Sequence, residues 1–170
     1  MTQNTSTAPE AQSYVAYTDG ACHGNPGPGA WAYHLQNPDG TFTDAAGFIR
    51  GETTTDAAGF PHEDTTTNNR AELFATINAL EAVPPGARIH IFSDSGYVIG
   101  GPNGWIADWK KQGWKNAKKK PVKNKDLWLR LDALTETREA TFEWVKGHAG
   151  HPENERADEL ARAGMAPFKP

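Results

Sequence analysis

Apolar positions recur along this chain at two periods, and the switches between them outline its elements. In residues 13–19, SYVAYTD, Val15 and Tyr17 share one face, the period-two signature of a strand. HGNPGPG is a turn cluster. Trp31, Tyr33 and Leu35 then alternate again, so the two runs read as a hairpin. NPDG at 37–40 turns the chain once more and predicts a third strand near residues 41–49. The period then lengthens. Leu73, Phe74, Ile77 and Leu80 form the stripe of a helix over roughly 70–82, capped by Asn68 or Asn69 and ended by Pro84-Pro85-Gly86. RIHIF at 88–92 is a buried-type strand, and residues 95–112 read as one or two short helices broken near Gly100–Gly104. A helix over 126–137 turns Leu127, Leu131 and Leu134 inward, and TFEWVKGH at 141–148 reads as a strand. The last helix, 152–164, has Pro152 in its first turn and Ala157, Leu160 and Ala161 toward the core.

The resulting order, β-β-β-α-β-α-α-β-α, predicts an α/β fold: a mixed sheet with helices on its faces. The first strand and the two later ones can run parallel through right-handed crossovers. Ligands in such sheets bind beyond the carboxyl ends of the strands. Asp19 and Asp94 end apolar runs, and His148 follows the last strand, so the topology converges these groups at one sheet edge.

One feature departs from this scheme. TDAAGFIRGETT at 43–54 is followed directly by TDAAGFPHEDTT at 55–66, with eight of twelve positions identical. A solenoid needs at least about three units, so this is a local duplication. One copy is expected to pair in the sheet and the other to form an extended loop or hairpin, a tolerated surface insertion. The second copy adds Asp56, Glu63 and Asp64 near the other acids.

Composition narrows the class. At 170 residues the chain is long enough for one domain with a real core, here residues 13–166. Residues 1–12 read as a polar disordered tail, with neither the basic nor the apolar region of a secretory signal. No run approaches the roughly 18 apolar residues of a membrane span. Cys22 is the only cysteine, which excludes an internal disulfide and argues for a reducing compartment; a cytoplasmic location is expected. The six histidines have no zinc-ligand spacing with it. The net charge of −4 hides an asymmetry: eight lysines and no acid fall in residues 110–125, leaving −12 on the rest. A basic protrusion over 105–125, with Trp105, Trp109 and Trp114 interleaved, reads as a polyanion handle. Lysines neutralise phosphates and aromatics pack on sugars or bases.

Four carboxylates stand out by context: Asp19 in YTDGA, Glu72 in NNRAEL, Asp94 in FSDSG and Asp158 in NERADEL. Each sits at an element edge beside apolar sequence. Gathered in one cleft, they repel and cannot all stay charged without a cation, and hard divalent ions bind through carboxylate oxygens. His148, in Gly-His-Ala-Gly-His, titrates near neutral pH and suits a proton relay or product release.

In order and spacing, YTDGACHGNPGPGAWA, TTNNRAEL, FSDSGYV, WKNAKKKPVKNKDLW and WVKGHAGHPENERADELA resemble the bacterial type 1 ribonuclease H family over roughly residues 13–165. The resemblance implies a ribonuclease H-like fold, a five-stranded mixed sheet flanked by helices. It implies Asp19, Glu72, Asp94 and Asp158 as metal ligands for two Mg²⁺ ions, with Mn²⁺ as a substitute, and His148 as a mobile catalytic histidine. The implied activity is hydrolysis of the RNA strand of an RNA–DNA hybrid, leaving 3′-hydroxyl and 5′-phosphate ends. The implied handle grips the DNA strand through Lys110, Lys111, Lys115 and Trp105, while Asn25 and Thr67 hold a DNA phosphate.

The 2′-hydroxyl distinguishes RNA from DNA in a wide minor groove. The turn Cys22–Asn25 and residues Asn68–Asn69 flank the acids and are placed to read it. Gly96 and Asp108 depart from the family, which often carries an amide and a neutral polar residue there. Both departures bear on affinity more than on chemistry. Nothing demands a dimer, and a monomer is expected. Integrases and junction resolvases, and a non-catalytic hybrid-binding module, are the competing readings.

Overall fold

The computed structural model describes residues 12–147 and 150–168. The tail expected at the N-terminus therefore lies, but for Gln12, outside the described residues. The alternating apolar runs give β1 (Ser13–Cys22), β2 (Gly29–Gln36) and β3 (Phe42–Phe48), paired antiparallel in succession. β6 (Arg88–Ser93) and β7 (Glu139–Trp144) add in parallel on the other side, giving the order β3-β2-β1-β6-β7 with β1 in the centre. β7 stops at Trp144, short of the predicted 148. The Val145 N–H still donates to the Ser93 carbonyl at 2.9 Å, but β6 has ended there and leaves no further partner.

Helix α1 (Asn68–Glu81) buries Leu73, Ile77 and Leu80 against Ala16, Leu35, Ile89 and Ile91 on one sheet face. Its cap is Thr67, one residue before the expected asparagines: the Thr67 hydroxyl accepts the Arg70 N–H at 3.2 Å. The region predicted as broken helix is α2 (Gly96–Gly100), a π-helical turn at Gly101–Trp105, and α3 (Ile106–Lys111). Helix α4 (Lys125–Glu136) adds Leu127, Trp128 and Leu131 to the same core. Gly101 is required there, because the Trp128 ring comes within 2.2 Å of where a Cβ would stand. On the opposite face α5 (Pro152–Ala163) packs its buried Ala157 and Ala161 over β1, β2 and β3.

The two repeat copies fold differently. In the first, TDAAGF is strand: residues 43–48 lie in β3, Asp44 pairs with His34 and Arg156, and the Trp31 ring fills the space of the missing Gly47 side chain. In the second, Thr55 ends β4 (Thr53–Thr55) and the other five residues, 56–60, make the turn to β5 (Pro61–Glu63). Asp56 accepts the N–H groups of Ala58 and Phe60 at 2.9 and 3.0 Å, and Gly59 sits at φ +91°. Tertiary pairing, not local preference, decides between them. The expectation of one sheet-paired copy and one hairpin is met. The acids of the second copy make local contacts, Asp56 with His62 and Asp64 with the Gly51 N–H, and none joins the clustered carboxylates among the described residues.

The hairpin is a closed excursion. Where it begins and ends, the Thr65 N–H donates to the Glu52 carbonyl at 3.2 Å, so the chain returns to its point of departure. Excising 55–66 or 53–64 gives the same product, because Thr53-Thr54 and Thr65-Thr66 are identical. Deleting twelve residues is expected to preserve cooperative unfolding and to lower Tm by less than about 4 °C, on the order of 1 kcal/mol. Loss of a cooperative melt in calorimetry would show that the second copy is structural.

Candidate active site

Strand geometry brings the first two acids together. The parallel pairing of β1 with β6 ends at Thr18 and Ser93. Asp19 and Asp94 are the next residue on each. Asp19 does not end its strand, as the sequence suggested: β1 runs on to Cys22, paired with β2 alone. Glu72 is the fifth residue of α1, two residues further in than expected because the helix starts earlier. It reaches the strand because Gly20 has no side chain. A Cβ there would stand 2.5 Å from the Ala71 carbonyl carbon and the Glu72 nitrogen. The close approach lets the Glu72 carboxylate accept the Gly20 N–H.

Asp19, Glu72 and Asp94 each offer a carboxylate oxygen within 4.8 Å of the others. Asp158, on α5, is near enough to Asp19 to raise its proton affinity but is not one of the three clustered carboxylates; its Oδ2 pairs with Arg162 at 3.0 Å. The electrostatic strain is large. Burial, then the charges of Asp94 and Asp158, push Asp19 up to about 8. Burial, then Asp19 and Asp94, hold Glu72 well above the usual carboxylate range. The group is all hard oxygen, half-enclosed and unable to carry its full charge alone. That donor set fits a divalent cation of the Mg²⁺ class.

The exit of β7 closes over Asp94. The Trp144 indole N–H donates to the Asp94 carbonyl at 3.2 Å, and a Cβ on Gly147 would come within 2.8 Å of Asp94 Oδ2. His148, the next residue and a predicted catalytic group, lies outside the described residues.

The predicted contact residues fall into two groups. Beside Glu72, the start of α1 meets the turn after β1. Asn25 Oδ1 accepts the Asn68 N–H at 3.0 Å, Thr67 caps the helix, and the Cys22 thiol donates to the Gly27 and Thr66 carbonyls at 3.5 and 3.7 Å. The second group is the lysine protrusion. Trp109 and Trp114 are half-buried against the core and anchor its base; Trp105 is 42 % exposed. Lys110 pairs with Asp132 at 3.0 Å. Lys111 and Lys115 are exposed and make no ion pair among the described residues. The loop beyond Lys115 is shaped by Asn116, whose Oδ1 accepts the Lys118 and Lys120 N–H groups at 2.9 and 3.1 Å. Asp108 is exposed in the first turn of α3, and nothing lies within 4 Å of a Cβ on Gly96. Sequence reasoning passed over Gly20, Trp144 and Arg70. The Asp-Gly pair was the only available signal for the first. Nothing local announced the others.

A mixed five-stranded sheet with clustered carboxylates where its central parallel strands end is the architecture of a carboxylate-centred α/β enzyme. The chain belongs to the ribonuclease H family: the family model described as RNase H matches residues 11–166. It is therefore an endoribonuclease. It is 57 % identical to a ribonuclease H of Dinoroseobacter shibae over 158 residues, 91 % of this chain and 92 % of that one. It is 56 % identical to a ribonuclease H of Ruegeria sp. over 157 residues, with the same coverage. Among solved structures, LC9-RNase H1, described as a type 1 RNase H with the type 2 active-site motif, superposes with a TM-score of 0.71 at 25 % identity, over 96 % of this chain and 76 % of that one. RNase H1 of Halobacterium salinarum gives 0.63 at 27 % identity, over 92 % and 99 %. LC11-RNase H1, solved in complex with an RNA/DNA hybrid, gives 0.62 at 22 % over 91 % and 97 %, a likeness of fold.

The raised carboxylate pKa values carry a signed consequence. A carboxyl group held higher in the folded protein than its unfolded value near 4 stays protonated there while the unfolded chain ionises. Metal-free stability should therefore fall as pH rises from about 4 towards 8, by on the order of a few kcal/mol. Asp19→Asn should flatten this slope and raise the metal-free Tm at pH 8 by several degrees, and excess Mg²⁺ should flatten it in the wild type. Melting curves in EDTA and in Mg²⁺ check this. A metal-free Tm that rises over that pH range would contradict the buried, repelling cluster.

Proposed function

We propose that this protein hydrolyses the RNA strand of RNA–DNA hybrids, using two divalent cations, Mg²⁺ with Mn²⁺ as a substitute. The observation that carries the reading is the cluster of Asp19, Glu72 and Asp94 at the sheet edge, where burial and mutual repulsion raise the proton affinities of Asp19 and Glu72. Family membership supports it, as does the shared fold of LC11-RNase H1, which was solved with an RNA/DNA hybrid.

Asp19, on the central strand, would be the principal ligand, and Glu72, Asp94 and Asp158 would complete the set that holds the ions. When bound, the ions acidify the attacking water and neutralise charge on the scissile phosphate and leaving oxygen. The water oxygen bonds to phosphorus as the bond to the 3′ oxygen breaks, which leaves a 3′-hydroxyl and a 5′-phosphate. His148 is assigned the proton relay. Residues 22–25 and Asn68 would read the 2′-hydroxyls, with Asn25 and Thr67 also meeting a DNA phosphate. Lys111, Lys115 and Trp105 would grip the DNA strand, with Lys110 at the edge of that contact because Asp132 already neutralises it. No described helix is long and apolar enough to cross a membrane. A monomer acting in the cytoplasm fits this reading.

Incubation with Mg²⁺ and labelled hybrid, duplex DNA, duplex RNA or a four-way junction separates the alternatives. Selective cutting of the RNA strand in the hybrid is expected. Junction cutting would favour a resolvase, and hybrid binding without cutting a non-catalytic module. Asp94→Asn should abolish cleavage, a loss beyond the roughly hundredfold of outer-shell substitutions, while hybrid binding persists. Replacing Lys111 and Lys115 with Ala should lower the salt slope of hybrid binding by about two. An unchanged slope would refute the protrusion's role.

A further inference from the structure

Arg70 stands at the start of α1, two residues before Glu72, and its guanidinium is engaged on every side. Nε and Nη2 donate to the two oxygens of Glu52 at 2.8 and 2.7 Å. Nη1 and Nη2 donate to the two oxygens of Asp126 at 2.9 and 2.7 Å, and Nη1 also meets Asn124 Oδ1 at 3.2 Å. Both carboxylates are thus held as two-pronged pairs by one planar cation, which a lysine cannot reproduce. The paired charges hold Arg70 well above the usual guanidinium range, with Asp126 first and Glu52 second, and keep both acids low.

The partners matter more than the pairing. Glu52 belongs to the first repeat copy, at the point where the β4–β5 hairpin leaves and rejoins the chain, and its Oε1 also accepts the Thr66 hydroxyl at 2.8 Å. Asn124 and Asp126 form the C-terminal root of the lysine protrusion. Asn124 is also tied to the helix that follows Asp94, its amide donating to the Tyr97 hydroxyl at 3.0 Å. Along the protrusion itself, the turn around Asn116 and the bridge between Lys115 and Pro121 are internal contacts. Its lysines therefore keep their place relative to the carboxylates only as well as its base is held.

We propose that Arg70 is a positioning residue, which through Glu52 and Asp126 fixes the lysine protrusion against the helix that carries Glu72. The inference rests on the reading of the protrusion as a nucleic-acid handle. Arg70 touches no substrate in this role. Its charge is fully paired, and it acts through the placement of Lys111 and Lys115.

The test is a double-mutant cycle read in the salt dependence of hybrid binding. Asp126 is suited to it because its side chain is 64 % exposed and its loss leaves Arg70 paired with Glu52. In the wild-type background, replacing Lys111 and Lys115 with Ala should lower the slope by about two. In an Asp126→Ala background that still melts cooperatively, the same pair should lower it by less than about one, and Asp126→Glu should restore the larger effect. Arg70→Lys should behave like Asp126→Ala. A drop of about two in both backgrounds would overturn the clamp while leaving the handle intact. No drop in either would overturn the handle, and the clamp with it.

Discussion

Repulsion among buried carboxylates is the constraint on which the rest of this structure depends. Nothing about Asp19, Glu72 and Asp94 favours their company. They are held together because rigid elements meet there: two parallel strands whose pairing ends one residue earlier, and a helix laid against a glycine. The apolar core beneath, from Leu73 and Ile77 to Ile89, Ile91 and Trp128, supplies the stability that offsets the repulsion. Burying each large side chain contributes on the order of 2 kcal/mol. The strain is then released by whatever cation occupies the cluster, so affinity for the ion and stability of the fold are two views of one free energy.

The charge asymmetry follows from the same constraint. A body carrying a net −12 is a poor surface for a polyanion, and on the proposed reading the eight lysines concentrated in one protrusion separate attraction from chemistry. The tryptophans serve this separation in an unexpected way. Three of them interleave with the lysines, which suggested a stacking surface. Trp109 instead turns inward onto Trp128 at a ring distance of 5.4 Å, and Trp114 packs on Trp109 at 6.0 Å. They root a highly charged loop in apolar material, and only Trp105 remains to face outward.

Much of the fold was legible because its signals are local. Period-two and period-3.6 runs marked the five sheet strands and the longer helices, and turn residues separated them. The acids were legible because each sat beside an apolar run. What the sequence did not disclose was non-local. Arg70 reads as an ordinary helix-surface charge, since its partners lie 18 and 56 residues away. Trp144 reads as a strand residue, yet it steadies the Asp94 carbonyl across fifty residues. The helix cap fell on Thr67 because Asn68 presents its backbone N–H to Asn25 instead. The lesson is directional: pattern finds the elements, and packing alone finds what joins them.

The duplicated hexapeptide has a consequence for how the chain chooses its register. Two identical stretches compete for one place beside β2, twelve residues apart, and within TDAAGF nothing distinguishes the right one. Discrimination falls to the flanking residues. After the first copy comes Ile49, which is buried and whose N–H donates to the Gly29 carbonyl at 2.8 Å. After the second comes Pro61, which has no N–H to give and a smaller apolar body. One amide hydrogen and one isoleucine therefore favour the first copy at its far end, as Phe42 and the short turn at 37–41 favour it at the near end. The proline that closes the hairpin also bars the wrong copy from taking the strand's place.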